Sequence, residues 1–202
     1  MIEGAQTAPA VARNRDPILA VLRRVLPARG TVLEISSGTG EHAVHFAANL
    51  PYLIWQPTDL DPTALRSIAA YRRATQLPNL LAPLELDATS PMWPVARADA
   101  IVSINMIHIA PWKAGEGLMA GAARLLAERH VLYLYGPFKE NGEHTAPSNA
   151  VFDASLRRSD PEWGVRDIGD VSDLASQHGF DFVERVAMPA NNLSLIFRRR
   201  AA

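Results

Sequence analysis

Short uninterrupted apolar runs alternate with amphipathic stretches along most of this chain, and that alternation leaves few architectures open. Thr31–Ile35, Leu53–Pro57, Leu80–Leu86, Ala100–Ile104 and Val131–Tyr135 are apolar runs of strand length. Between them apolar residues recur at helical spacing: Ala43, Phe46, Ala47 and Leu50; Leu65, Ile68 and Ala69; Leu118, Met119, Ala122, Leu125 and Leu126. Strands that are apolar on both faces need cover on both faces, so the pattern predicts a parallel sheet between two helical layers. Pro83 has no N–H to give to a ladder and places the third strand at a sheet edge.

The two ends read differently. Asp16 before Pro17 predicts the start of a helix carrying Ile18, Leu19, Leu22, Val25 and Leu26, broken over 27–30. Residues 1–15 are then an N-terminal arm that closes over a pocket, and 16–202 a single α/β domain. Near the other end, Asp170 is placed to cap a short helix (Val171, Leu174, Ala175) that stops at Gly179. Phe180–Val186 and Leu193–Phe197 follow as strands, and Met188–Asn192 is too short for a crossover, so they are antiparallel. The expected fold is a seven-stranded, mostly parallel sheet with a terminal antiparallel hairpin. Gly136 to about Ser148 is expected to be a long irregular loop at a strand's carboxyl end, where ligands of open α/β sheets sit.

Composition excludes several functions. A formal net charge of -1 provides no basic field for nucleic acid. Arg198-Arg199-Arg200 reads either as a phosphate-binding tail or as a solvated strand end. With no cysteine there is no disulfide, thiolate nucleophile or cysteine-ligated zinc. No apolar run reaches membrane-spanning length, and the N-terminus lacks the pattern of a secretory signal; the expectation is a cytoplasmic chain that works away from membranes.

Gly38-Thr39-Gly40 lies between a buried strand and a helix, where backbone can approach a ligand at a helix N-terminus. Two cofactors use such a loop. Gly38-x-Gly40-x-x-Ala43, with Asp59 at ribose distance, passes as a dinucleotide fingerprint. Glu34 turns the reading towards S-adenosylmethionine, because a carboxylate repels pyrophosphate but pairs with an ammonium and sulfonium. Acids also follow the next two strands: Asp59 to hold ribose hydroxyls and Asp87 the adenine amino group. Each has a structural alternative. Asp61 is the better helix cap, and Asp87 fits either role.

Glu34-x-x-x-Gly38-x-Gly40 with Asp59 and Asp87 resembles the seven-stranded, class I S-adenosylmethionine-dependent methyltransferases. A closer resemblance rests on Arg13-Asn14-Arg15-Asp16-Pro17-Ile18, Leu33 to His42, Trp55 to Asp61, Ser103 to Ile109, Tyr135-Gly136-Pro137-Phe138, Trp163 to Asp167 and Met188 to Asn192. These segments are similar to a bacterial family long labelled a domain of unknown function, whose animal relatives are called methyltransferase-like protein twenty-six. The resemblance implies a Rossmann-like class I fold and S-adenosylmethionine bound by Glu34, Gly38, Thr39, Gly40, Asp59, Asp87, Ala88 and Asn105.

Methyl transfer from a sulfonium needs alignment and dryness above all, and a base only if the nucleophile carries a proton. The acceptor is expected beyond the fourth strand, near Asn105 and His108, with His108 a candidate base or a structural donor. Amino-group methyltransferases resemble one another in an Asn/Asp-Pro-Pro-aromatic turn at this point. Asn105-Met106-Ile107-His108 departs from it, which argues against a nucleic-acid substrate. Lys139, His144, Ser148 and Asn149 are candidate acceptor contacts, Trp112, Tyr135 and Phe138 candidate apolar walls, and Asn14 and Arg15 candidate contacts from the arm. His42 and His45 stand three apart without a carboxylate partner, so no metal is expected. The leading expectation is a methyltransferase for a small-molecule acceptor; a non-catalytic binding protein and an NAD-type oxidoreductase stand as alternatives. Oligomeric state is not legible.

Overall fold

A computed structural model of the chain describes residues 2–201; Met1 and Ala202, the outer ends of the expected arm and domain, lie outside the described residues. The elements run α1 (Pro9–Val25), β1 (Gly30–Ile35), α2 (Glu41–Asn49), β2 (Leu53–Asp59), α3 (Pro62–Thr75), β3 (Leu84–Glu85), β4 (Ala100–Ile104), α4 (Trp112–Leu125) and β5 (Val131–Gly136). They continue with β6 (Lys139–Glu140), β7 (Glu143–His144), α5 (Pro147–Ser159), α6 (Ile168–Gln177), β8 (Phe180–Met188) and β9 (Asn192–Arg199).

Seven strands form one sheet in the order β3-β2-β1-β4-β5-β9-β8. The first five are parallel, and β9 is antiparallel to both β5 and β8. Alternation of side chains places Leu33, Ile35, Ile101, Leu132 and Leu134 on one face, against Leu118, Met119 and Ala122 of α4 and Val171 and Ala175 of α6. Val32, Ala100, Val102, Tyr133 and Tyr135 face the other way, against Ile18 and Leu22 of α1 and Ala43 and Phe46 of α2. The order reverses between β1 and β4, which opens the crevice where such sheets bind ligands.

Several expectations need correcting. The first helix starts at Pro9, not Asp16, so the segment expected as an arm is helical from residue 9. Pro17 sits inside that helix, where its missing N–H leaves the Arg13 carbonyl without its helical partner. Strand pairing around Pro83 is confined to Leu84–Glu85 plus a bridge from Leu80 to Trp55, on the sheet edge as expected. The segment after β5 is not an irregular loop. It forms the β6–β7 hairpin, turned by Asn141 and Gly142 at φ 55° and 81°, and then α5. The cap of α6 is Asp167, which accepts the Gly169 N–H, rather than Asp170. The arginine run is no tail: Arg198 and Arg199 belong to β9, Arg199 binds the carbonyls of His178 and Gly179, and Arg200 pairs with Asp181. Among the described residues no helix is long and apolar enough to cross a membrane.

Candidate cofactor cleft

β1 ends in a buried strand and hands over to a loop in which Ser36, Gly38 and Gly40 take left-handed φ of 62°, 56° and 89°. Those turns carry the chain sharply into α2. At Gly40 a Cβ would press on Ile68, and at Gly38 it would meet nothing within 4 Å, because that side of the loop is open.

The loop's own N–H groups are largely spoken for. Ser37 donates to the Thr58 carbonyl (2.8 Å), Gly38 to Asp59 Oδ2 (2.8 Å) and Gly40 to the Ser37 carbonyl (3.0 Å). Asp59 also accepts the Asp61 N–H through Oδ1 (3.0 Å), while Asp61 caps α3 by accepting from Thr63. Each Asp59 oxygen keeps a further lone pair for a hydroxyl. The helix start itself carries a carboxylate: Glu41 accepts the Ala8 N–H (2.7 Å) and the Thr39 hydroxyl (3.2 Å). Thr39 thus serves the loop from within, and its carbonyl accepts from Ser67.

Glu34 lies just below, 1 % exposed, accepting the Trp55 indole N–H at 2.8 Å. Burial pushes its carboxyl up to about 7, with the hydrogen bonds from Trp55 and Ser37 acting the other way and Asp59 adding to the rise.

A cleft of about 290 Å³ opens beyond the carboxyl ends of β1, β2 and β4. Ile35 and Ser36 line it from the end of β1, Leu60 from the end of β2, Asp87 and Ala88 from beyond β3, and Met106, Ile109 and Pro111 from beyond β4. Asp87 closes an Asx turn on Thr89, accepting from its N–H and its hydroxyl (both 2.8 Å). The Ala88 carbonyl packs against Gly117 of α4, in the space that any side chain there would fill. Asn105, at φ 63°, donates its N–H to the Tyr135 carbonyl and starts the turn that carries Met106 into the cleft. Glu34, Gly38, Asp59, Asp87, Ala88 and Asn105 thus gather at one end of the sheet.

The remaining candidates are more dispersed. His108 is fully buried, its ring edge-on to Phe138 at 4.5 Å between centroids. Burial pulls it down to about 3, with the Arg166 charge acting the same way. A neutral ring whose Nδ1 accepts the Arg166 N–H (3.2 Å) carries its proton on Nε2, packed over Gly136 where a Cβ would collide with it. No lone pair is left, so the geometry presents a spacer rather than a base. Asn14 is buried on α1 and accepts from His42 Nε2 (2.9 Å), while the buried Tyr135 hydroxyl has no hydrogen-bond partner among the described residues. His45 pairs with Asp16, and Arg15 is exposed. Lys139 and His144 both face Asp153, at 3.7 and 3.4 Å. Ser148 and Asn149 stitch α5 to the β8–β9 turn through Asn191. Trp112 starts α4 and lies under the Arg166 guanidinium, in a separate cavity of about 460 Å³.

Sequence reasoning about the site passed over Ser36, Leu60, Met106, Ile109, Asp153, Arg166 and Trp163. Trp163 lines the cleft from a segment some 130 residues beyond β1. Its only signal was the Trp163–Asp167 motif.

A family model described as "Protein of unknown function (DUF938)" matches residues 5–199. Among solved structures the chain is similar to an O-methyltransferase family protein from Burkholderia thailandensis (17% identity, TM-score 0.79, covering 93% of this chain and 56% of that one). It is similar also to CalO1, a methyltransferase in calicheamicin biosynthesis solved with S-adenosylhomocysteine (16%, 0.72, 92% and 54%). The YcgJ protein from Bacillus subtilis matches over nearly its whole length (13%, 0.70, 93% and 98%). The chain spans about half the length of the first two. At these identities the likeness is one of fold, and the fold is the Rossmann-like one of class I methyltransferases.

Proposed function

The chain belongs to the family described as "Protein of unknown function (DUF938)", and from that premise we propose that it is an S-adenosylmethionine-dependent methyltransferase for a small-molecule acceptor, a cytoplasmic relative of methyltransferase-like protein twenty-six. The observation that carries this reading is the inward bonding of the glycine loop. The N–H groups of Ser37, Gly38 and Gly40 donate to protein oxygens, and Glu41 sits at the helix start. A pyrophosphate needs those donors and that positive helix end. An uncharged adenosine with a cationic methionine end does not. It fits an apolar cleft lined by Asp87, with Asp59 bound to the adjoining glycine loop and Glu34 buried at the end of β1. Asp59 takes the ribose hydroxyls and Asp87 the adenine amino group. CalO1, whose S-adenosylhomocysteine is part of its solved form, lends the same fold to this cofactor class.

The acceptor binds beyond the end of β4, close to Asn105, with the half-buried Lys139 and His144 of the β6–β7 hairpin as its contacts. With the His108 lone pair engaged, alignment and exclusion of water supply the rate, and the nucleophile arrives already unprotonated. A second reading, a protein that binds the cofactor without turning it over, rests on that same sealed His108.

Titration calorimetry with S-adenosylmethionine, S-adenosylhomocysteine and NAD separates these. The first two are expected to bind, and at a hundredfold excess over Kd to stabilise the fold by about 2.7 kcal/mol. Binding of NAD alone would overturn the proposal. Tritiated methyl incorporation into the small-molecule fraction of a cell extract then decides between enzyme and binder. Gly38→Arg, whose side chain enters the open side of the loop, is expected to abolish both binding and incorporation while the protein stays folded.

A further inference from the structure

Residues 163–167 form a strap in which each member holds a different neighbour. Trp163 walls the cofactor cleft. The Gly164 N–H donates to the His108 carbonyl (2.9 Å), and a side chain here would run into Asp153 and Arg157. The Val165 N–H donates to Asp153 Oδ1 (2.7 Å), whose other oxygen faces Lys139, His144 and Arg157. Arg166 spreads its guanidinium over the carbonyls of Ile107 (3.0 Å), Ala110 (2.8 Å) and Glu162 (2.8 Å), fixing the turn that lines the cleft. Its own carbonyl accepts the Lys139 N–H (2.9 Å). Asp167 Oδ2 accepts the Gly142 N–H at the hairpin turn (2.6 Å), while Oδ1 caps α6.

One end of the strap is thus a wall of the cofactor cleft and the other end is fastened to the β6–β7 hairpin. That hairpin has only two residues in each strand, far too few to hold its shape alone. Its order is borrowed from the strap, together with ion pairs from Glu140 to Arg185 and from Lys139 and His144 to Asp153.

We propose that the strap transmits cofactor occupancy to the acceptor side: a ligand against Trp163 and the 106–111 turn fixes Arg166 and Asp167, and these hold the hairpin that presents Lys139 and His144. Arg166 and Asp167 are positioning residues, and the acceptor binds after the cofactor. This rests on the proposed function, since it takes S-adenosylmethionine or its product as the ligand in the cleft.

The test is hydrogen exchange of the full chain with and without saturating S-adenosylhomocysteine, with its affinity measured in parallel by calorimetry. Protection is expected at 106–111 and, through the strap, at 139–144, where exchange slows by about tenfold. Asp167→Asn keeps one oxygen for the α6 cap but cannot also accept the Gly142 N–H. It is expected to bind S-adenosylhomocysteine as the parent does and to protect 106–111, with protection of 139–144 lost; Asp167→Glu is expected to restore part of it. A merely structural Asp167 would raise exchange in the hairpin equally with and without ligand. Protection at 106–111 without any change at 139–144 in the parent overturns the coupling, as does full hairpin protection in Asp167→Asn. Absence of any heat and of any protection overturns the cofactor assignment itself, a distinct result.

Discussion

Glu34 is pulled two ways, by the cationic ligand we propose for it and by its burial in a strand against Trp55. Without ligand the balance falls on the proton. Its folded pKa is raised, to about 7 from an ordinary 4.5, so the folded state keeps a proton that the unfolded chain loses. The resulting stability is fully present below about pH 4.5 and is lost as pH rises to about 7, about 3 kcal/mol in all. His42 and His108 run the other way. Burial holds their folded pKa values down at about 4 and about 3, so they stabilise above the ordinary 6.5 and lose that contribution as pH falls towards those values. Only a difference isolates Glu34. Urea unfolding of the parent and of Glu34→Gln between pH 4.5 and 7 is expected to show the parent's relative stability falling by that amount as pH rises. A flat difference would mean that Glu34 is ionised in the folded state. Glu34, Asp59 and Asp87 were legible in the sequence because strand-end acids follow from element order. Ser36 and Met106 were not: a serine at φ 62° and a methionine turned into a cleft leave no periodic trace. Nor does periodicity report that a histidine's lone pair is already engaged, as at His108.

At the scale of elements, the parallel strands and the closing hairpin were written in apolar runs, whereas the start of α1 was misread because its capping group comes from elsewhere. α1 has no side-chain cap of its own at Ala8. Glu41 of α2 supplies it across the fold, so proline and aspartate at 16–17 looked like the start. α5 was missed for a related reason. Its inward face carries Asn149 and Asp153 beside Leu156, while Val151 and Phe152 point outward, so hydrophobic periodicity reads against it. The borrowed cap has a measurable consequence. Glu41→Ala is expected to cost about 1 kcal/mol, the ordinary worth of a helix cap. It should also speed amide exchange over residues 5–12 while leaving α5 and α6 unchanged. Unaltered exchange at 5–12 would show that the Gln6 contacts with Ser67 and Tyr71 hold this segment unaided.

For the whole molecule, the decisive fact is that no central strand belongs to one core alone. Val32 faces α1 and α2 while Leu33 faces α4 and α6; Ala100 and Ile101 divide in the same way, as do Val131 and Leu132. Stripping the helices from either face would expose the sheet and withdraw support from the other layer, and the candidate cofactor cleft lies at the sheet end shared by both. The two layers should therefore unfold together even though the chain is longer than most two-state domains. Trp55 reports on the α1–α2 layer and Trp93 packs against the α4–α6 layer. Variants retaining only one or the other as a fluorophore are expected to give the same urea midpoint, with calorimetric and van't Hoff enthalpies equal in the parent. If Trp93 reported the earlier transition, the α4–α6 layer would be a separate cooperative unit. The strap, which ties the turn before α4 to the cap of α6, would then have to act within that layer rather than through the sheet.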